Sequence, residues 1–206
     1  MTQYSAVFRG GLVYDGSGEP PYIGDVAVDG DRISAVGPTA TLSTADYEHD
    51  ITGLAIAPGF IDAHTHDDRI VLDAPDMQPK ISQGVTTVVV GNCGISLAPV
   101  IFSGDTPAPM NLLGGREAYS FPNFKSYAAA LSKSAPAVNV AALIGHSALR
   151  LAVMDDVRRR AAPGEVEAMR SLADEAMDSG ATGFSTGLFY PTNEAADANE
   201  AASIAS

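Results

Sequence analysis

The residues best suited to chemistry are three metal donors carried by two short segments. Gly59-Phe60-Ile61-Asp62-Ala63-His64-Thr65-His66-Asp67-Asp68 is an apolar run that enters two histidines one residue apart. Side chains at i and i+2 of an extended segment face the same way, so His64 and His66 can offer both imidazoles to one cation. A bare His-x-His also describes two exposed loop histidines beside solvated aspartates. The strand before it and the Pro58-Gly59 turn favour the metal reading. Val88-Val89-Val90-Gly91-Asn92-Cys93-Gly94 repeats the arrangement, with an apolar strand delivering the single cysteine, Cys93, among small residues. A thiolate binds zinc well and brings negative charge to the site. A lone cysteine is otherwise a small buried apolar residue, but Gly91 and Gly94 beside it imply close approach of the backbone to something.

These donors need strands to present them. After Ala57-Pro58-Gly59 the sequence alternates apolar runs with helical patterns, as βα units around a parallel sheet do. Strands are expected at Phe60 to Ala63, Val85 to Val90, Val138 to Ile144 and Thr182 to Phe184, and helices at Ala74 to Ser82, Phe124 to Ser134 and Gly164 to Ser179. In a parallel barrel the C-terminal ends of the strands form the catalytic face. Residues 1–57 instead alternate apolar and polar positions between turns such as Asp15-Gly16-Ser17-Gly18 and Asp29-Gly30-Asp31, which reads as a small antiparallel β-sandwich module. From Gly91 to Pro122 runs a Gly/Pro-rich connection of a length usually reserved for functional or mobile loops. Asn193 to Ser206 reads as a helix beginning without a closing Gly or Pro.

Composition narrows the class of function. Of 206 residues, 12 are Lys or Arg and 25 are Asp or Glu, a formal net charge of -13. Such a surface repels phosphate backbones and anionic membranes, so neither nucleic acid nor membrane is expected as a partner. A single cysteine cannot form an internal disulfide, and the first residues lack a secretory pattern, so a cytoplasmic location is expected.

The motifs Ala57 to Asp68, Gln83 to Pro99, Gly145 to Arg150 (GHSALR) and Ser185 to Pro191 (STGLFYP) together resemble the amidohydrolase superfamily, and specifically its N-acyl-D-amino-acid deacylase (D-aminoacylase) family. The resemblance covers essentially the whole chain. It implies an α/β fold: the first four or so βα units of a metal-dependent-hydrolase TIM-type (β/α)8 barrel over 58–206, truncated at its C-terminus, after a β module over 1–57. A complete barrel takes about 250 residues. It implies an amidohydrolase acting on carbon–nitrogen bonds other than peptide bonds, hydrolysing small-molecule N-acyl-D-amino acids to a carboxylate and a D-amino acid. Cyclic-amide relatives usually carry lysine where this family carries the cysteine, so a hydantoinase-like or dihydroorotase-like cyclic amidase is the alternative within the superfamily. A non-catalytic remnant is the alternative outside it.

Carried over by position, the family's metal residues fall on His64, His66 and Cys93, for one or two zinc ions. Two later histidines and a proton-handling catalytic aspartate are expected beyond residue 206, in the missing C-terminal half of the barrel, which leaves the tight zinc site incomplete and this chain inactive. Ser185, Phe189 and Tyr190 are expected to line the substrate pocket, which in general is apolar with a few polar anchors. Asp67 and Asp68 are candidates to accept hydrogen bonds from the metal-binding imidazoles. Arg150 is a candidate to meet a substrate carboxylate. His146 is either a rim residue of the site or a structural histidine bonded to a neighbouring loop, and His49 is expected to be exposed.

Overall fold

Alternating apolar positions in the first part of the chain produce five strands: β1 (Tyr4–Val13), β2 (Tyr22–Asp29), β3 (Arg32–Pro38), β4 (Ala45–Asp50) and β5 (Ala55–Ile56). The computed structural model describes residues 4–39 and 41–206. Strand β1 pairs antiparallel with β2, and β2 with β3, while β4 and β5 both run parallel to β1. The expected antiparallel sandwich is therefore a single mixed sheet. Its parallel partners come from sequence-distant segments that no hairpin turn announces. Val7, Val13, Val26 and Ala27 are buried here, and so is Asp25. That carboxylate accepts from Arg9 Nη1 at 3.1 Å and from the Gly10 amide at 2.9 Å, the partners a buried charge requires. Arg9 also binds Glu48 of β4 at 2.8 Å, which ties three strands through one guanidinium. His49 is exposed and stacks on Phe8.

The chain divides into two compact units, Met1–Gly59 and Phe60–Ser206. The second contains strands β6 (Phe60–Asp62), β7 (Val85–Val90), β8 (Asn139–Gly145) and β9 (Gly183–Ser185), all parallel and in the order β6-β7-β8-β9. Helices occupy the connections: α1 (Ile70–Asp73), α2 (Gln78–Ile81), α3 (Phe124–Ser134), α4 (His146–Val153) and α5 (Pro163–Asp178), with α6 (Ala198–Ile204) after β9. Because the strands are parallel, the residues that follow Asp62, Val90, Gly145 and Ser185 all emerge at one edge of the sheet.

Local chemistry explains the helices. In α3 the Asn123 side chain accepts from the Ser126 amide at 2.9 Å, a standard N-cap. Helix α5 begins with Pro163 at its first position, where no N–H is needed, and Glu165 reaches back to the Ala162 amide at 2.8 Å. The helix expected over Ala74 to Ser82 is only the short α2, Gln78–Ile81, and the separate α1, Ile70–Asp73, precedes the expected range. Pro75 disfavours helical backbone at Ala74, and Met77 adopts φ 46° between them. Helix α4 escapes the sequence reading because His146 to Val153 continues an apolar run from Val138, and periodicity does not separate a buried helix from a buried strand.

The core of the second unit includes Val71, Val88, Val90, Ile144, Leu149 and Met169. The long connection after β7 is no surface loop at its start: Ile95, Leu97, Ala98 and Val100 belong to this core. Among the described residues no helix is long and apolar enough to cross a membrane. Met169 of α5 is fully buried, so Met169→Ala should destabilise this unit by about 2–5 kcal/mol; denaturant unfolding of the variant would read this, and a loss well below that range would show that α5 does not pack as described.

Candidate metal centre

The chain leaves β6 at Asp62 and carries His64 and His66 into the following turn. It leaves β7 at Val90 and turns sharply to bring Cys93 alongside them. Each of the three residues offers a ligand atom, and these atoms all lie within 4.8 Å of one another. His64 Nε2 is 3.0 Å from Cys93 Sγ, and the two imidazoles meet edge to face at 5.7 Å. Such spacing suits one ion bonded at about 2.0–2.3 Å after small side-chain adjustment, or a pair of ions about 3.5–4 Å apart.

Backbone bonds set this approach. The Thr65 amide, between the two histidines, donates to the Val89 carbonyl at 3.2 Å. Buried Asn92 donates from its carboxamide to the carbonyls of Thr65 (3.1 Å) and Val89 (2.7 Å), lacing one loop to the other. Cys93 has φ 59°, a conformation that costs a non-glycine residue on the order of 1–2 kcal/mol, and Gly91 and Gly94 beside it also have positive φ. At Gly94 a β-carbon would sit 3.1 Å from Asn193 Nδ2 and 3.3 Å from the Gly187 and Ser147 amides, so the turn is cradled where only glycine fits.

The donor set suits a cation. Burial, then the nearby His64, pulls His66 below its ordinary value, with Asp67 acting the other way, and this favours the neutral imidazole that ligates metals. His66 Nδ1 is buried and has no hydrogen-bond partner, an orphan that a bound ion or a water in its shell would satisfy. Two imidazoles and a thiolate are a zinc-type set. Tyr190 lies beside Cys93; burial first, and then the thiol, raise its phenol above the ordinary value.

Most of the other expected site residues have partners of their own. Asp67 is paired with Lys80 Nζ at 2.9 Å rather than with an imidazole, since an ammonium is the stronger partner for a carboxylate. Asp68 is buried, its carboxylate oxygens meet no donor in good geometry, and burial pushes it up to about 7 against a smaller downward pull from the Gly91 amide. Ser185 braces the cysteine turn: its hydroxyl donates to the Gly91 carbonyl and accepts from the Gly94 amide at 2.9 Å. Phe189 is 93% exposed.

Arg150, expected to meet a substrate carboxylate, is fully buried and satisfied by protein. Its guanidinium pairs with Glu200 and donates to the carbonyls of Thr192, Val157 and Arg159, each at 2.8 Å. His146 is also fully buried, with Nδ1 2.9 Å from Thr186 Oγ1 and Nε2 3.0 Å from Glu200 Oε1. Because a carboxylate only accepts, this assigns the ring proton to Nε2 and leaves Nδ1 to accept from Thr186. Sequence reasoning missed Asn92, Lys80 and Glu200. A buried amide beside the cysteine was a signal for the first; the other two read as ordinary helix-surface charges.

The chain matches the amidohydrolase family over residues 48–206. It is 52% identical to a D-aminoacylase of Alcaligenes xylosoxydans xylosoxydans over 91% of this chain and 38% of that protein. A D-aminoacylase crystal structure superposes with a TM-score of 0.94 at 49% identity, covering 98% of this chain and 42% of that one. The N-acyl-D-glutamate deacylase of Bordetella bronchiseptica, solved with zinc and a phosphonate mimic of its tetrahedral intermediate, gives a TM-score of 0.91 at 42% identity over the same shares. The chain thus spans well under half the length of these relatives.

Asn92→Ala takes the side-chain donor from the Thr65 carbonyl, while the Val89 carbonyl keeps the Thr65 amide, and should cost about 1–3 kcal/mol; a thermal melt indistinguishable from the parent would count against the lacing role. Burial, partly offset by Glu200, holds His146 below its ordinary value of 6.5. The unfolded chain therefore binds the extra proton first. This contribution to stability is present above 6.5 and is lost as pH falls below it towards the lowered folded value. Asp68, raised on folding, acts with the opposite sign, so the comparison is between variants: His146→Gln should have a shallower acid slope of stability than the parent, and equal slopes would refute the assignment.

Proposed function

The chain belongs to the amidohydrolase family, and from that premise we propose that it is the N-terminal part of a (β/α)8 enzyme that hydrolyses the linear amide of N-acyl-D-amino acids with zinc. In this reading residues 1–57 form the N-terminal part of a small β module and 58–206 the first half of the barrel. The observation that carries the proposal is the convergence of His64, His66 and Cys93 at the C-terminal edge of a parallel sheet. The relatives' names support the substrate class, and the cysteine favours a linear over a cyclic amide. Small N-acyl-D-amino acids are the proposed partners, and a cytoplasmic location suits a single cysteine kept reduced.

When bound, zinc would act as a Lewis acid toward the amide carbonyl and make water acidic enough to attack near neutral pH. His64, His66 and Cys93 would hold it. Burial keeps His66 in the form that offers a lone pair. The strained Cys93 turn, braced by Ser185 and Asn92, holds the sulfur in place. Tyr190 presents a phenol next to Cys93, positioned to donate to a substrate oxygen, and Phe189 offers an exposed ring to an apolar acyl or side-chain group.

The test measures zinc content and turnover of N-acetyl-D-methionine and its L form, for this chain and for a fusion to the portion of a D-aminoacylase that it does not match. The fusion should contain zinc and hydrolyse only the D form, and Cys93→Ala should abolish both properties; the unfused chain should be inactive. A metal-free fusion with full activity, or indifference to Cys93→Ala, would overturn the mechanism.

A further inference from the structure

Lys80 of α2 is absent from every motif discussed above, yet its ammonium reaches both flanks of the histidine segment. Nζ lies 2.6 Å from Asp62 Oδ2, 2.9 Å from Asp67 Oδ2 and 3.4 Å from Thr65 Oγ1. Asp62 is the last residue of β6, and its other carboxylate oxygen accepts from the His64 amide at 3.3 Å. Asp67 directly follows His66. One cation therefore spans the stretch 62–67 from end to end, and the two imidazoles lie between its anchor points. The three side chains are 22%, 31% and 19% exposed for Lys80, Asp62 and Asp67, so solvent screens them only in part.

We propose that Lys80 is the positioning residue of the metal centre: its two ion pairs hold the turn from Asp62 to Asp67 in the shape that aims His64 and His66 at Cys93. This deepens the function proposed above and rests on it. Two features separate such a role from ordinary surface pairing. Exposed pairs contribute little to stability, whereas partners behind metal ligands act on orientation and so on affinity. The cluster also pairs one cation with two carboxylates, leaving one negative charge beside the ligands, which is the sign that favours a cation nearby. Thr65, within the same turn, ties it to the opposite loop, since its amide donates to Val89 and its carbonyl accepts from Asn92 while its hydroxyl faces Lys80.

The experiment titrates the fusion described above with cobalt(II) and follows the absorption bands of the bound ion in the parent fusion, Lys80→Met, Lys80→Arg and, as a control, Arg159→Met. Arg159 also bridges two carboxylates, Asp155 and Glu165, away from the site. Lys80→Met should bind cobalt about 10–100-fold more weakly. At saturation it should keep the thiolate charge-transfer band of Cys93 while the ligand-field bands reporting the imidazoles change. Lys80→Arg should recover most of the affinity, and Arg159→Met should match the parent. If Lys80→Met fails to fold, Asp67→Asn, which removes one arm and leaves Lys80 on Asp62, should show the same weakening in smaller measure. Parent-like affinity and spectrum in Lys80→Met, or in Asp67→Asn if that variant stands in, would overturn the proposal. So would an equal loss in Arg159→Met. A parent fusion that binds no cobalt would overturn the metal reading itself and this inference with it.

Discussion

The carboxamide of Asn92 locks together two loops that the pairing of β6 with β7 and the Thr65–Val89 backbone bond already bring side by side. By donating to the carbonyls of Thr65 and Val89, it joins the turn after β6 to the turn after β7 at the level where the histidines and the cysteine emerge. The Thr65 carbonyl, in irregular backbone, must find a donor, and a side-chain amide supplies two N–H groups from a single point, the second reaching the Val89 carbonyl near the end of β7. The separation of His64, His66 and Cys93 follows from that satisfaction of backbone groups. The three side chains share a face because their backbones are laced.

Around this point the structure concentrates strain and compensates for it. Cys93 occupies a left-handed conformation, and positive φ lets the chain pass close to the Leu143 backbone at Gly91 and to Gly187, Ser147 and Asn193 at Gly94. The Ser185 hydroxyl bonds both ends of the turn. Strain of this kind persists only where surrounding contacts over-determine the geometry, and it clusters at functional sites because it holds a reactive side chain in one orientation.

A second polar group, set deeper, does a different job. His146, Arg150 and Glu200 form a fully satisfied buried cluster that fastens α6 to α4 and reaches the segment after β9 through Thr186 and Thr192. A buried guanidinium is tolerable only with this many acceptors. The residue types that suggest chemistry in the motif GHSALR are occupied by this fastening, while Lys80 and Asn92, which suggest none, stand behind His64, His66 and Cys93.

What the sequence determined by itself was local. The apolar runs ending in His-x-His and in Gly-Asn-Cys-Gly marked β6 and β7 and the donors they deliver, since strand periodicity and ligand chemistry are both properties of a few adjacent residues. Helix α3 and most of α5 were legible for the same reason, through caps and periodicity. The tertiary structure decided whatever depended on residues far apart in the chain. It turned an apparent antiparallel module into a mixed sheet through β4 and β5, and it cut the helix predicted over Ala74 to Ser82 down to Gln78–Ile81. It turned Asp67 to Lys80, and Arg150 and His146 to Glu200. Charged side chains settle on the partner that burial brings within reach, and burial is a property of the whole fold that no local pattern encodes.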